Sequence, residues 1–507
     1  MHSTSSNRTV LVAALFLSLI LSGCAAKTPP IVGPSSESAV SNLRVTLSAI
    51  LNVPEFEHVS WGVAVQSIDS GDTVFALNAA KLMMPASNMK ILTLAAVAER
   101  LGWDYTFETR LMTSAPIEDG ILKGDLIVVG SGDPTIGHRA ADTGNGRLFE
   151  AWAEQLVNAG IRRIDGRLIG DDNAFDDDGV EAGWVWDDLA YSYAAPIGAL
   201  TYDSNAVELV VRPATTAGDI AQLAVRPADS GLIVENHVTT SPPGGQFSLD
   251  LRRGPGTSRL VARGAVPVGT AEFARTVSVD NPTDFFVTAL QRALVGHGIT
   301  ISGPALDIDA MTPPPDLSAC RVLISHRSAP LSTLAVPMMK LSLNLYADTL
   351  LKVLGASAGE TGTVETGRQV VRSVLQSWGI AADGVVLSDG SGLSRYNFVT
   401  VETLVSALRH VAREPRHAVP FESTLPVAGQ DGTLANRMKG TAAEGNAHAK
   451  TGSMTGVRGL SGYVRTRDGE RLAFAMLANN FNIPSARIDA AADRAIEQLA
   501  QFTRQPK

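Results

Sequence analysis

Two residues that could do chemistry together stand three positions apart, Ser87 and Lys90, in the stretch Pro85-Ala86-Ser87-Asn88-Met89-Lys90. A serine hydroxyl is a weak nucleophile until a base takes its proton. A lysine three residues further along a helix lies over the same face and can be that base. The run from Ser87 to Leu101 is almost wholly apolar beyond Lys90 and is followed by Gly102, which predicts a buried helix that stops there. Ser87 then sits at the helix N-terminus, where free N–H groups and the positive end of the dipole favour a developing oxyanion. An amine acts as a base at neutral pH only if burial or a nearby cation favours its neutral form, and Lys450 is the candidate for that cation.

Two further short sequences belong with this pair: Ser342-Leu343-Asn344 and Lys450-Thr451-Gly452-Ser453. Ser-x-x-Lys or Ser-x-Asn alone would arise on the order of once by chance in a chain this long, so the ordered set of three is the informative signal. With the phrases Ser342-Leu343-Asn344-Leu345-Tyr346-Ala347-Asp348, Asp389-Gly390-Ser391-Gly392-Leu393-Ser394-Arg395-Tyr396-Asn397 and Lys450-Thr451-Gly452-Ser453-Met454-Thr455-Gly456-Val457, the chain resembles the D-alanyl-D-alanine carboxypeptidase/endopeptidase family. These are the class C low-molecular-mass penicillin-binding proteins, and the resemblance runs from about residue 40 to the C-terminus.

The resemblance implies a serine-type D-Ala-D-Ala carboxypeptidase, and also a DD-endopeptidase, that acts on peptidoglycan stem peptides through an acyl-serine and is inhibited by β-lactams. Ser87 would be acylated, Lys90 would take its proton, Ser342 would relay a proton to the leaving amine, and Asn344 would hold the substrate amide. Lys450 with Thr451, Gly452 and Ser453 would receive the terminal carboxylate, and the N–H groups of Ser87 and Ser453 would form the oxyanion hole. Arg395 and one of Asp171 or Asp172 would bind the charged end of a diaminopimelate side chain.

The stretch from Ser87 to Ser342 is more than twice as long as that from Ser342 to Lys450, too long for a loop, so inserted domains must interrupt the catalytic module. The expected fold is mixed α/β (α+β): a β-lactamase/transpeptidase-like catalytic domain with an antiparallel sheet flanked by helices. Hairpin patterns at 61–77 and 459–479 predict the sheet, with Lys450-Thr451-Gly452 on an edge strand. Helices from Ser41 to Leu51 and from Ser485 to Phe502 should cover one face. Two helix-strand units, from Leu148 and from Thr283, suggest an inserted α/β domain, and short alternating segments between them suggest a small nested β domain. The predicted parts are a catalytic domain at 41–105 and 326–507, an inserted domain at 106–205 and 280–325, and a nested domain at 206–279.

Residues 1–23 read as a lipoprotein signal peptide ending at Leu21-Ser22-Gly23-Cys24, with Cys24 the lipidation site and 24–40 a Pro-, Gly- and Ser-containing tether. This predicts a periplasmic protein anchored by lipid to the outer membrane. Cys320 is then left without a partner and is expected to be a small buried residue rather than a nucleophile. A net charge of −9 argues against nucleic acid as a partner. The nine histidines form no metal-binding spacing, so neither a catalytic metal nor a cofactor is expected. The competing readings are a serine β-lactamase or esterase, and a catalytically silent peptidoglycan-binding lipoprotein.

Overall fold

A computed structural model describes residues 36–137, 147–359 and 361–504. The predicted signal peptide, Cys24 and most of the tether lie outside the described residues.

The part expected to be catalytic is built on a five-stranded antiparallel sheet in the order Thr73–Leu77, Ser60–Ser67, Arg471–Asn479, Val457–Arg465, His448–Met454. Its central strand is apolar from Leu472 to Ala478 because both faces are covered. Leu472, Phe474, Met476 and Ala478 point into one core, and Ala473, Ala475 and Leu477 into the other. The first core is closed by the terminal helices Ser36–Leu51 and Ser485–Gln501, the former starting five residues before its expected position. The second holds the helices Met89–Leu101 and Val401–Arg413 together with the all-helical segment from Leu331 to Ser377. Every residue of Met89–Ala98 is buried, as an all-round apolar helix requires.

The chain leaves this part along the strand Glu108–Thr113 and returns along Arg321–Arg327, and these two strands pair antiparallel. An insert whose two ends are adjacent disturbs its host little. They belong to a second five-stranded sheet with Leu126–Val129, Leu168–Asp171 and Ala305–Asp307, backed by the helices Leu148–Asn158 and Pro282–Gly296. The latter helix starts on a proline, and the Asn281 side chain caps it by accepting from the Asp284 N–H.

The same device recurs one level down. Ala206 on the outgoing strand pairs with Ser278 on the returning one, and between them two three-stranded sheets enclose a separate small core. Cys320 departs from expectation. It is half-buried, packed at the margin of a small cluster around Ile127, Ile169 and Ile308, because it ends a short surface turn that brings its thiol to the Asp316 carbonyl. Among the described residues no helix is long and apolar enough to cross a membrane.

Candidate active site

Ser87 lies in a one-turn 3-10 helix, Ala86–Asn88, that runs straight into Met89–Leu101. The turn is held from several sides. Asn479, on the central strand, accepts from the Met84 N–H and donates to the Met84 carbonyl, at 2.8 and 3.0 Å. Gly452 on the edge strand lies so close that a Cβ there would sit 2.5 Å from the Asn88 amide nitrogen, and one on Gly392 would sit 1.8 Å from the Ala86 carbonyl oxygen. Ala86 itself has φ +47°, a left-handed conformation that a non-glycine residue adopts at a cost.

The Lys90 amine is wholly buried and 3.0 Å from Ser87 Oγ. Its other partners are Asn344 Oδ1 at 2.7 Å and the Ser391 carbonyl at 2.8 Å. All three are uncharged, so the arrangement suits both forms of the amine. Neutral, it uses two N–H groups on Asn344 and Ser391 and turns its lone pair to the serine; protonated, it donates to all three. Burial lowers its pKa to about 8, against the opposing pull of Asp348 and Asp389. Of the two causes the sequence left open, burial or the charge of Lys450, burial is the larger. Lys450 is itself pushed well below the usual lysine range, first by burial and then by the charge of Lys90.

Ser342 joins the helices Leu331–Lys340 and Asn344–Ala356 with φ +62°, a second left-handed non-glycine residue at the site. Its hydroxyl accepts from Lys450 Nζ at 2.9 Å. Lys450 also donates to the Thr451 carbonyl, and Thr451 Oγ1 is 2.7 Å from Thr433 Oγ1. The side chain of Asn344 faces two ways, accepting from Lys90 and donating to the Tyr193 carbonyl at 2.8 Å. A segment of the inserted domain is therefore wired into the centre.

That wiring extends along the loop 389–397. Buried Asp389 accepts from the N–H groups of Gly392 and Ser394, from the Asn397 amide and from Trp184 Nε1 of the insert. The hydroxyls of Ser388 and Ser394 donate to the Ala182 carbonyl, and the Arg395 N–H to that of Gly183.

Ser87, Ser342, Asn344, Arg395 and Ser453 open onto one cleft of about 970 Å³. Lys90 and Lys450 are buried side chains bonded to the serines on its wall. Arg395 donates to the Thr455 carbonyl at 3.3 Å. Asp171 is not part of the cleft. It ends a strand of the insert, and its buried carboxylate turns back to accept from the N–H and side-chain amide of Asn173, which removes it from solvent. Asp172 accepts from the Thr283 hydroxyl instead. The acidic groups that do line the cleft are Asp187, which is exposed, and Asp188, which accepts from Tyr193 Oη at 2.7 Å. These two, with Tyr193, were not singled out from the sequence: their stretch has no apolar period and no motif spacing, and only the repeated aromatic and acidic residues at 184–193 marked it. Asp348 and Asp389 stood within quoted phrases but were given no role.

Among the described residues one acidic trio, Asp172, Asp307 and Asp309, brings ligand oxygens within 4.8 Å of one another. It lies in the insert, and the carboxylates of Asp172 and Asp307 bond to Thr283 and Asn281.

Residues 43–505 match the family model described as the D-Ala-D-Ala carboxypeptidase 3 (S13) family. A D-alanyl-D-alanine carboxypeptidase of an Actinomadura species is 36% identical over 485 residues, covering 93% of this chain and 87% of that protein. The crystal structure of penicillin-binding protein 4 from Haemophilus influenzae superposes with a TM-score of 0.79 at 28% identity, covering 91% of this chain and 99% of the other. A complex of that protein with a β-lactam superposes with a TM-score of 0.73 at 27% identity over the same shares of the two chains.

Proposed function

The chain belongs to the D-Ala-D-Ala carboxypeptidase 3 (S13) family and is a serine-type D-Ala-D-Ala carboxypeptidase; from that premise we propose that Ser87 is its acylated nucleophile and Lys90 the base. The observation that carries this reading is the 3.0 Å contact between a serine held in a strained turn and a buried amine whose pKa is lowered to about 8.

Ser87 Oγ attacks the carbonyl carbon of the penultimate D-alanine while its proton passes to Lys90 Nζ. When the tetrahedral adduct collapses, the C–N bond breaks and the departing D-alanine amine takes, by way of the Ser342 hydroxyl, the proton that Lys90 received from Ser87, while Lys450 holds that hydroxyl in place. Water then cleaves the ester and restores Ser87. The hydroxyls of Thr451 and Ser453, with Lys450 behind them, receive the terminal carboxylate, and the N–H groups of Ser87 and Ser453 hold the oxyanion. β-Lactams present the same carbonyl and carboxylate and acylate the same serine. The substrate is the peptidoglycan stem peptide, and the volume of the cleft, about 970 Å³, supports cleavage of cross-links, where a second stem peptide is the leaving group.

For a diaminopimelate end, Arg395 takes the carboxylate and the exposed carboxylate of Asp187 takes the amine, a pairing supported by their common place on the cleft wall. In the cell, the Leu-Ser-Gly-Cys ending of the apolar leader supports lipid attachment at Cys24 and a periplasmic location at the outer membrane.

Mass spectrometry after incubation with a labelled penicillin tests the chemistry. A long-lived adduct is expected on the Ser87 peptide and none in S87A. An adduct that disappears within seconds would favour the β-lactamase reading, and no adduct in folded protein the silent binding protein. R395A should lose roughly ten-fold or more in kcat/KM on peptides with a free diaminopimelate end and little on plain D-Ala-D-Ala peptides; equal losses would remove the assignment. Loss of membrane association in C24A tests the anchor.

A further inference from the structure

The helix Asn344–Ala356 carries three polar residues at successive four-residue steps on one face, Asn344, Asp348 and Lys352. Asn344 binds Lys90, and Lys352 binds the inserted segment at Asp176 and Asp178. Asp348, between them, has no part in the reaction as described above. It is wholly buried, its Oδ1 accepts from the Ser391 N–H at 2.7 Å, and its Oδ2 has no hydrogen-bond partner among the described residues. The other acid beside Lys90, Asp389, is by contrast satisfied at both oxygens by four donors.

The backbone next to Asp348 shows what it acts on. Two consecutive peptide groups stand between the helix Met89–Leu101 and the two buried acids. In the first, the Gly390 carbonyl accepts from Thr93 Oγ1 at 2.7 Å, and the Ser391 N–H goes to Asp348. In the second, the Ser391 carbonyl accepts from Lys90 Nζ at 2.8 Å, and the Gly392 N–H goes to Asp389 at 2.7 Å. Lys90 and Thr93 are themselves three residues apart on one helix face. A peptide whose N–H is bound to an anion is polarised into a stronger acceptor at its carbonyl.

Resting on the assignment of Ser87 and Lys90 made above, we propose that Asp348 is a positioning residue for acylation: it pins the Gly390–Ser391 peptide so that the Ser391 carbonyl stays on Lys90, and it supplies the negative charge that steadies the ammonium ion Lys90 becomes. No proton passes through Asp348. The proton leaves Ser87 Oγ as that oxygen bonds to carbon, rests on Lys90 Nζ, and departs with the leaving amine. The charged groups facing Asp348 are Lys90 from the nucleophile helix, Asp389 from the loop and Glu181 from the insert. Burial and Asp389 raise the pKa of Asp348, while Lys90 pulls it back down. Asp348 and Asp389 in turn support the charged form of Lys90 against burial. Without that support the lysine would be a weaker base.

The test is the pH dependence of the second-order rate of acylation by a fluorescent penicillin, measured on the full-length protein, on D348N and on T93V. D348N keeps an oxygen to accept from Ser391 and removes the charge. Wild-type acylation rises with pH as Lys90 loses its proton. In D348N this rise should move to lower pH by about one unit, with a plateau rate lower by roughly ten-fold. T93V, which loosens the same peptide without changing charge, should lower the rate and leave the position of the rise unchanged. If D348N melts as a destabilised protein, D348S carries the same reading. A rise at the wild-type pH in whichever Asp348 variant folds, while wild-type protein is labelled at Ser87, overturns the proposal and leaves the catalytic assignment standing. Absence of wild-type labelling at Ser87 overturns both.

Discussion

Lys90 and Lys352 are both wholly buried, both on central helices, and each makes three hydrogen bonds. Their partners differ in charge. Lys90 meets a hydroxyl, an amide oxygen and a carbonyl, whereas Lys352 meets the Asp176 carboxylate and the carbonyls of Asp176 and Asp178. Burial alone therefore does not make a base. An amine among neutral acceptors, one of which can return a proton, can exist without its charge. One paired with a carboxylate and two carbonyls serves instead as a clamp that holds the inserted segment onto the catalytic helices.

The widest separation between the two should come from removing each amine. K90M should lower penicillin acylation by about 10²- to 10⁴-fold, the usual contribution of a positioned base. Its stability should fall too, but by less than that of K352M, since the direct partners it strips of a donor, Asn344 Oδ1 and the Ser391 carbonyl, are uncharged and Asp348 is bonded to Ser391 rather than to Lys90. K352M should do the reverse. Leaving Asp176 without its cation should cost about 3–5 kcal/mol of stability by urea denaturation, reduced in proportion as Asp176 reaches water. Acylation per folded molecule should stay within a few-fold. If K352M were stable and silent, the comparison would be inverted.

A smaller change should move Lys90 toward the character of Lys352. In wild-type protein the acylation rate should rise with pH and reach half its plateau near the value to which Lys90 is lowered, about 8. N344D replaces the amide oxygen 2.7 Å from Lys90 by a carboxylate. An anion at that distance favours the ammonium form, so the rise should move to higher pH by about 1–3 units and the rate near neutrality should fall about ten-fold or more. A rise that stays put would mean that Lys90 does not govern it.

The parts of this site that could be read from sequence are those fixed by spacing or by a covalently local pattern. Ser87 and Lys90 meet because three residues on a helix bring them to one face, and the edge strand with Lys450 was visible from the alternating hairpin that follows it. The catalytic sheet was legible from two hairpin patterns whose turns, at 69–72 and 467–470, carry Asp and Gly. Asp171 shows the limit. Sequence gives its type and neighbours, but whether a carboxylate faces a cleft or folds back onto Asn173 depends on where a strand ends in a different domain. The same holds for Asp187 and Asp188, which reach the cleft because their segment is tied to the catalytic part at Ala182, Gly183, Trp184 and Tyr193. Asp389 was visible within a motif phrase, yet its task of collecting four donors, one from Trp184 far back in the chain, is a tertiary fact.

The finest probe of the clamp is Glu181, on the inserted segment held by Lys352. Burial pushes its pKa up from 4.5 to about 7, with Lys352 pulling it down and Asp389 and Asp176 pushing it further up. A carboxyl whose folded pKa is raised binds its proton more tightly in the native state. Its contribution to stability is therefore complete below 4.5 and is lost as the pH rises through about 7. Over that window unfolding free energy should fall by an amount on the order of 2 kcal/mol, and E181Q, neutral at every pH, should flatten this part of the profile. The K90M background should retain the slope, because Lys90 is not among the groups that set the Glu181 titration. K352M should steepen it, because the neighbouring cation that now eases ionisation of Glu181 would be gone. A slope that ignored Lys352 would mean that the clamp holds the segment in place without setting the charge state of the acid beside it.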